Sequence, residues 1–187
     1  MECFLQDQCQ SGPTAGPSTA PSRCSGPLRL TALFKESNDL THLALFPLLD
    51  GDEDFFGVAL GFAYVYFIYG MYYCLNVSCE PDGHAGGVLI RALEPVEGLE
   101  TMARLRKLPA SASPRLFASG PGRLCQALDI TRAAHNGLDL TSRTSLLQIL
   151  DDGFEPAMIR STPRIGIRKA VEHPLRFLIE GNAFVSK

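Results

Sequence analysis

The chain lacks most of the marks from which a function is ordinarily read. It has no glycine fingerprint of a nucleotide-binding loop, so dinucleotide and P-loop chemistry find no support. Nothing repeats at a fixed period, which argues against solenoids. The six cysteines, at 3, 9, 24, 74, 79 and 125, keep no regular spacing, and His42, His84, His135 and His173 are scattered. No metal site or other cofactor is therefore expected, and such cysteines suit a reducing compartment. Cys74 and Cys125 stand among apolar neighbours, where buried thiols belong. No basic segment followed by an apolar one opens the chain, so no secretory leader is expected. The expected location is intracellular, with bacterial cytoplasm and eukaryotic nucleus both left open. The one long apolar stretch, Phe55 to Val77, is interrupted by Gly57, Gly61 and Gly70 and rich in tyrosine and β-branched residues. Packed strands account for it better than a membrane helix, and no membrane partner is expected.

What is present is ordinary in bulk and uneven in detail. The 187 residues are 45% hydrophobic and 20% charged, which suits one substantial core. The net charge of -3 conceals an asymmetry: residues 1–60 carry eight acids and three bases, residues 91–123 six bases and three acids, residues 160–176 five bases and one acid. A mildly acidic chain can thus present a basic face to a polyanion.

Residues 1–28 are rich in Ser, Pro, Gly, Thr and Ala, and read as a disordered tail ahead of a domain over 29–187. A helix is plausible near 40–49, ending or kinking at Pro47, and the acidic run Asp50–Asp54 reads as a loop. Ala63 to Tyr69 is a strand by composition, Gly70-Met71 turns the chain, and Tyr72 to Ser78 returns antiparallel. Period-two geometry puts Tyr64, Tyr66 and Ile68 on one face, with Val65, Phe67 and Tyr69 on the other. Pro81-Asp82-Gly83 signals a turn before a strand over 87–93. Glu94-Pro95 predicts a helix start, continued through Lys107, and Gly120-Pro121 another. Arg164–Ile167 and Leu175–Ile179 read as short strands. The expected fold class is α+β: a single mixed domain with a small curved antiparallel sheet, a protruding β-hairpin and surrounding helices.

Six segments, taken together, resemble one family. YVYFIYGMYYCLNV at 64–77, VLIRALEP at 88–95, GLETMARLR at 98–106, SGPGRLCQALDI at 119–130, PRIGI at 163–167 and PLRFLIEGN at 174–182 resemble consecutive blocks of the alkyladenine (3-methyladenine) DNA glycosylases, in family order and at nearly family spacing. The resemblance implies a monomeric, metal-free enzyme that binds duplex DNA through its minor groove, flips a damaged purine and hydrolyses its N-glycosidic bond. It implies that Tyr69 wedges into the duplex, that Tyr66 forms an aromatic wall for the extruded base, and that Asn76 lines that pocket and rejects guanine. Arg91 would correspond to an active-site arginine near the lesion's phosphate and the attacking water. Arg123, Arg164, Arg168 and Lys169 are more generic candidates for phosphate contact.

One family feature has no counterpart. A Val-Glu-Thr-Glu-Ala-Tyr-like strand, holding the glutamate that activates water and a second pocket tyrosine, precedes the aromatic hairpin in the family. Residues 31–60 show no Glu-x-Tyr pattern and no tyrosine, although Glu36, Asp39, Asp52, Glu53 and Asp54 are present. A general base must reach its water within hydrogen-bond distance, so an acid nearby in sequence does not suffice. The alternative expectation is a catalytically inactive relative that still binds damaged DNA.

Overall fold

The computed structural model describes residues 2–5, 28–31, 60–79, 86–151, 153–167 and 172–186. In chain order its strands and helices are β1 (Glu2–Leu5), β2 (Leu28–Thr31), β3 (Ala63–Ile68), β4 (Tyr72–Ser78), β5 (Gly87–Leu89), β6 (Glu94–Pro95), α1 (Leu99–Leu105), α2 (Arg115–Ala118), α3 (Pro121–Ala127), α4 (Arg132–His135), β7 (Leu147–Leu150), β8 (Ile159–Thr162) and β9 (Arg176–Ile179). They form three small antiparallel sheets, ordered β6-β2-β1-β7, β3-β4-β5 and β8-β9.

The hairpin sheet follows from its residues. Aromatic and β-branched side chains favour the pleat, and Tyr64 pairs with Asn76, Tyr66 with Cys74 and Ile68 with Tyr72. This register puts Tyr64, Tyr66 and Ile68 on one face, as the alternation predicts. Val65 and Leu75 point the other way and are almost fully buried with Ala63. They join Met102, Ala103, Phe117, Leu124, Cys125, Ile130 and Leu140 in the core. Burial of each large aliphatic side chain contributes about 1.5–3 kcal/mol, which ties the root of the hairpin to α1 and α3. Towards its apex the hairpin leaves this core, and Phe67, Tyr69 and Met71 are exposed.

The outer edge of β3 is covered by the chain that leaves α4. Gly137 donates its N–H to Ala63, Ala63 donates to Leu138, and Asn136 Oδ1 accepts from Val65 N at 2.8 Å. Phe62 and Asp139 complete the seam as an isolated bridge.

Several expectations need correction. Glu94-Pro95 does not begin a helix but pairs with Thr31 and Leu30 as an edge strand. Proline suits an edge, because its missing N–H need not enter a ladder. The helix starts at Leu99, after Gly98 at φ 71 has bent the chain. The strand expected at 164–167 lies earlier, at Ile159–Thr162; Pro163 and Gly166, the latter at φ 79, break the extended path. The strand expected over 87–93 ends at Leu89. Within the segment read as a tail, Glu2–Leu5 is a strand between β2 and β7. The helix near 40–49, the acidic run at 50–54 and the turn at 81–83 lie outside the described residues. Helices and antiparallel strands in small open sheets thus form an α+β domain, and no described helix is long and apolar enough to cross a membrane.

Candidate functional site

The apex of the β3-β4 hairpin is built by an unusual turn. Met71 N donates to Ile68 O at 3.2 Å, and the two residues between them, Tyr69 and Gly70, have φ of 55 and 67. Positive φ at both central positions is the pattern of a type I′ turn, whose twist matches that of a hairpin. Glycine enters it freely. Tyrosine does so at a cost of about 1–2 kcal/mol, because its Cβ crowds the following carbonyl. The ring thus held is 79% exposed.

Below the apex, one face of the hairpin is aromatic and polar. The Tyr64 and Tyr66 rings stack with centroids 5.8 Å apart, and the Tyr66 hydroxyl shares a hydrogen bond with the Cys74 thiol. Burial, then Cys74, raises the Tyr66 pKa well above that of an ordinary phenol, so the hydroxyl stays neutral and remains a donor. Asn76 is buried, and its Nδ2 donates across the strands to the Tyr64 carbonyl at 3.3 Å. That bond fixes the amide and leaves its oxygen as a placed acceptor.

Arg91 follows β5 and is half-buried. Burial and the neighbouring Arg176 lower its pKa, while Cys74 and Tyr66 act in the opposite sense. Those four residues therefore share one electrostatic environment. Arg91 Nε donates to Ser186 Oγ in a long bond of 3.5 Å. Arg176, on β9, donates to the Ser186 carbonyl at 2.5 Å and to Thr162 Oγ1 at 3.3 Å.

The sequence candidates thus separate into a group and outliers. Tyr66 lies close enough to Tyr69 and to Arg91 to share an electrostatic influence with each, and Asn76 shares a strand face with Cys74. Arg123 is exposed on α3, where Gly122 lies against Tyr72 next to the hairpin apex. Its guanidinium reaches the Ser119 carbonyl at 3.5 Å and, after burial, is the next cause of the lowered pKa of Arg106, whose own Nη1 is bonded to Gln126. Arg164 is half-buried in the connection after β8. Arg168 and Lys169 lie outside the described residues, as do Glu36, Asp39, Asp52, Glu53 and Asp54. Sequence reading missed Tyr64, Cys74, Arg176 and Ser186. The first three sit inside the conspicuous blocks at 64–77 and 174–182, whereas Ser186, close to the chain end, carries no pattern. Among the described residues, no group of three or more His, Cys, Asp or Glu is placed to hold a metal ion.

The family model for methylpurine-DNA glycosylase matches residues 51–183, a span that includes the hairpin, Arg91 and Arg176. A protein of Koribacter versatilis named "Putative 3-methyladenine DNA glycosylase" is 58% identical over 67% of this chain and 60% of its own length. One of the same name from Rhodopseudomonas palustris is 48% identical over 68% of this chain and 58% of its own. The chain thus spans about three-fifths of the curated relatives it matches. With the match running through the hairpin apex, its polar face and the arginines beside it, the chain belongs to the methylpurine-DNA glycosylase family.

Proposed function

We propose that the chain is a DNA glycosylase of base excision repair, acting as a monomer on duplex DNA and hydrolysing the N-glycosidic bond of alkylated or deaminated purines. The observation that carries this reading is Tyr69, an exposed ring held by a strained turn at the apex of the hairpin that also carries Tyr66. Entering the duplex, the ring takes the place of the extruded nucleotide and offsets part of an unstacking cost of a few kcal/mol. The extruded purine lies against Tyr66, whose π face favours electron-poor, alkylated rings. Asn76 presents its amide oxygen to the base edge and crowds the exocyclic amino group of guanine. Arg91 holds a phosphate beside the lesion and the attacking water, and Arg123, Arg164, Arg168 and Lys169 add phosphate contacts.

A base-release assay on duplex DNA containing hypoxanthine tests this. Release of free base, depressed in Arg91→Ala, is the expected result; no release where a longer relative turns over defeats it. A second reading is favoured by one observation: among the described residues, none of the recorded contacts of Tyr66, Asn76 or Arg91 is with a carboxylate. Without a base to activate water, the same surface binds damaged duplexes and leaves the bond intact. Tight, damage-dependent binding with no release selects that reading.

A further inference from the structure

Two guanidiniums, one following β5 and one on β9, converge on one buried residue. Ser186 is 6% exposed; its hydroxyl accepts from Arg91 Nε at 3.5 Å and its carbonyl accepts from Arg176 Nη2 at 2.5 Å. Arg176 is held in turn by Thr162 on the paired strand β8. Like charges brought together in a partly buried place repel, and Arg176 does lower the proton affinity of Arg91. Among the described residues the recorded hydrogen-bond acceptors of both arginines are hydroxyls and a carbonyl, so no carboxylate there answers the doubled charge. An arginine whose Nε is already engaged presents its two Nη groups side by side, a fork that matches two oxygens of a phosphate.

We propose that Ser186 and Arg176 are positioning residues: Arg176 fixes the Ser186 carbonyl, Ser186 fixes the edge of Arg91, and Arg91 meets a backbone phosphate already aligned. This rests on the reading of the chain as a binder of damaged duplex DNA. The long 3.5 Å bond contributes orientation more than stability, because a guanidinium left to rotate would have to be ordered at the moment of binding. The second cation strengthens the local field without itself touching the anion.

The test uses the full chain and a duplex with one tetrahydrofuran abasic-site analogue, titrated by fluorescence anisotropy at several salt concentrations. Arg91→Ala is expected to shrink the slope of log affinity against log salt by about 0.9, the loss of one phosphate contact. Ser186→Ala is expected to weaken binding about five-fold, the effect of one lost hydrogen bond, with no further loss when combined with Arg91→Ala. Ser186→Thr, which keeps a hydroxyl, should restore wild-type affinity, and Arg176→Lys should reproduce Ser186→Ala. A second readout needs no DNA: the Arg91 Nε–H cross-peak in a 15N spectrum, assigned by its absence from Arg91→Ala, should shift or broaden in Ser186→Ala and persist in Ser186→Thr. Losses from Ser186→Ala and Arg91→Ala that multiply, or a cross-peak indifferent to Ser186, overturn the proposal. Failure of the wild-type chain to bind the duplex sinks the functional reading instead, while the cross-peak still decides whether Ser186 holds Arg91.

Discussion

At the scale of single residues, the most informative position is Tyr69. An exposed ring with φ of 55 gains little from packing and strains the backbone, so nothing in the fold itself calls for tyrosine there. Replacing it with glycine, for which this conformation is free, should leave stability within about 1 kcal/mol of wild type or higher. The same change should lower the preference for a damaged over an intact duplex about ten-fold, the worth of one lost ring-base stack. Thermal melts paired with competition titrations check both halves, and a variant that melts early with its preference intact would refute the assignment. Cys125 gives a second residue-level expectation. Burial, then the nearby Cys74, pushes its pKa up to about 12, from an ordinary 9.0. An unfolded thiol ionises above pH 9 while the folded one stays protonated, so its contribution is complete below pH 9 and is lost as pH rises towards 12. Stability measured by denaturant titration across that window should fall less steeply in Cys125→Ala. Tyr69 was legible only in part, since the composition carried the strand through it and put the turn at Gly70-Met71, whereas β3 ends at Ile68 and Tyr69-Gly70 makes the turn; Cys125 was legible because its neighbours are apolar. Ser186 was not, since a hydroxyl contacted by Arg91, 95 residues earlier in the chain, leaves no local trace.

At the scale of elements, the placement of α3 against β4 decides whether the hairpin is supported near its apex. A Cβ on Gly122 would come within 2.9 Å of the Tyr72 Cδ1 and Cγ and 3.0 Å of its Cβ. The Cβ at the root of the side chain cannot swing aside, so the helix or the strand must move. Gly122→Ala should therefore cost about 1–3 kcal/mol, as overpacking usually does, and loosen the hairpin. Circular dichroism melts would show the cost, and an unchanged melting temperature would mean that α3 does not bear on β4. The hairpin and α3 were readable because short-range rules govern them: alternation, a turn dipeptide, and proline at the first helical position. Glu94-Pro95 was misread because those same local rules fit a helix start, while its actual partner, β2, is more than sixty residues away. Four-residue elements such as α4 and β7 are too short to show a period and went unseen.

At the scale of the whole molecule, charge is the quantity that matters. The overall balance of -3 coexists with a basic stretch over 91–123 that contributes Arg91, Arg106 and Arg123 to the surface around the hairpin. Duplex affinity should fall with added salt, and Arg123→Ala should reduce the salt slope by about 0.9 for damaged and intact DNA alike. A change confined to damaged DNA would place Arg123 in lesion recognition instead. The family and the fold class were legible in six ordered blocks, most of which keep a piece of the core or of the site. The source of a general base was not, because none of Glu36, Asp39, Asp52, Glu53 and Asp54 stands in a strand recognisable from the sequence. The seam along β3 carries a further consequence. Strand edges with free N–H and C=O groups invite other chains to add on, and β3 is apolar and aromatic enough to be a dangerous template. Asn136, Gly137, Leu138 and Asp139 occupy that edge as a blunt irregular stopper, so a proteolytic nick among these four would leave the face chemistry intact while turning the chain into a seed for self-assembly.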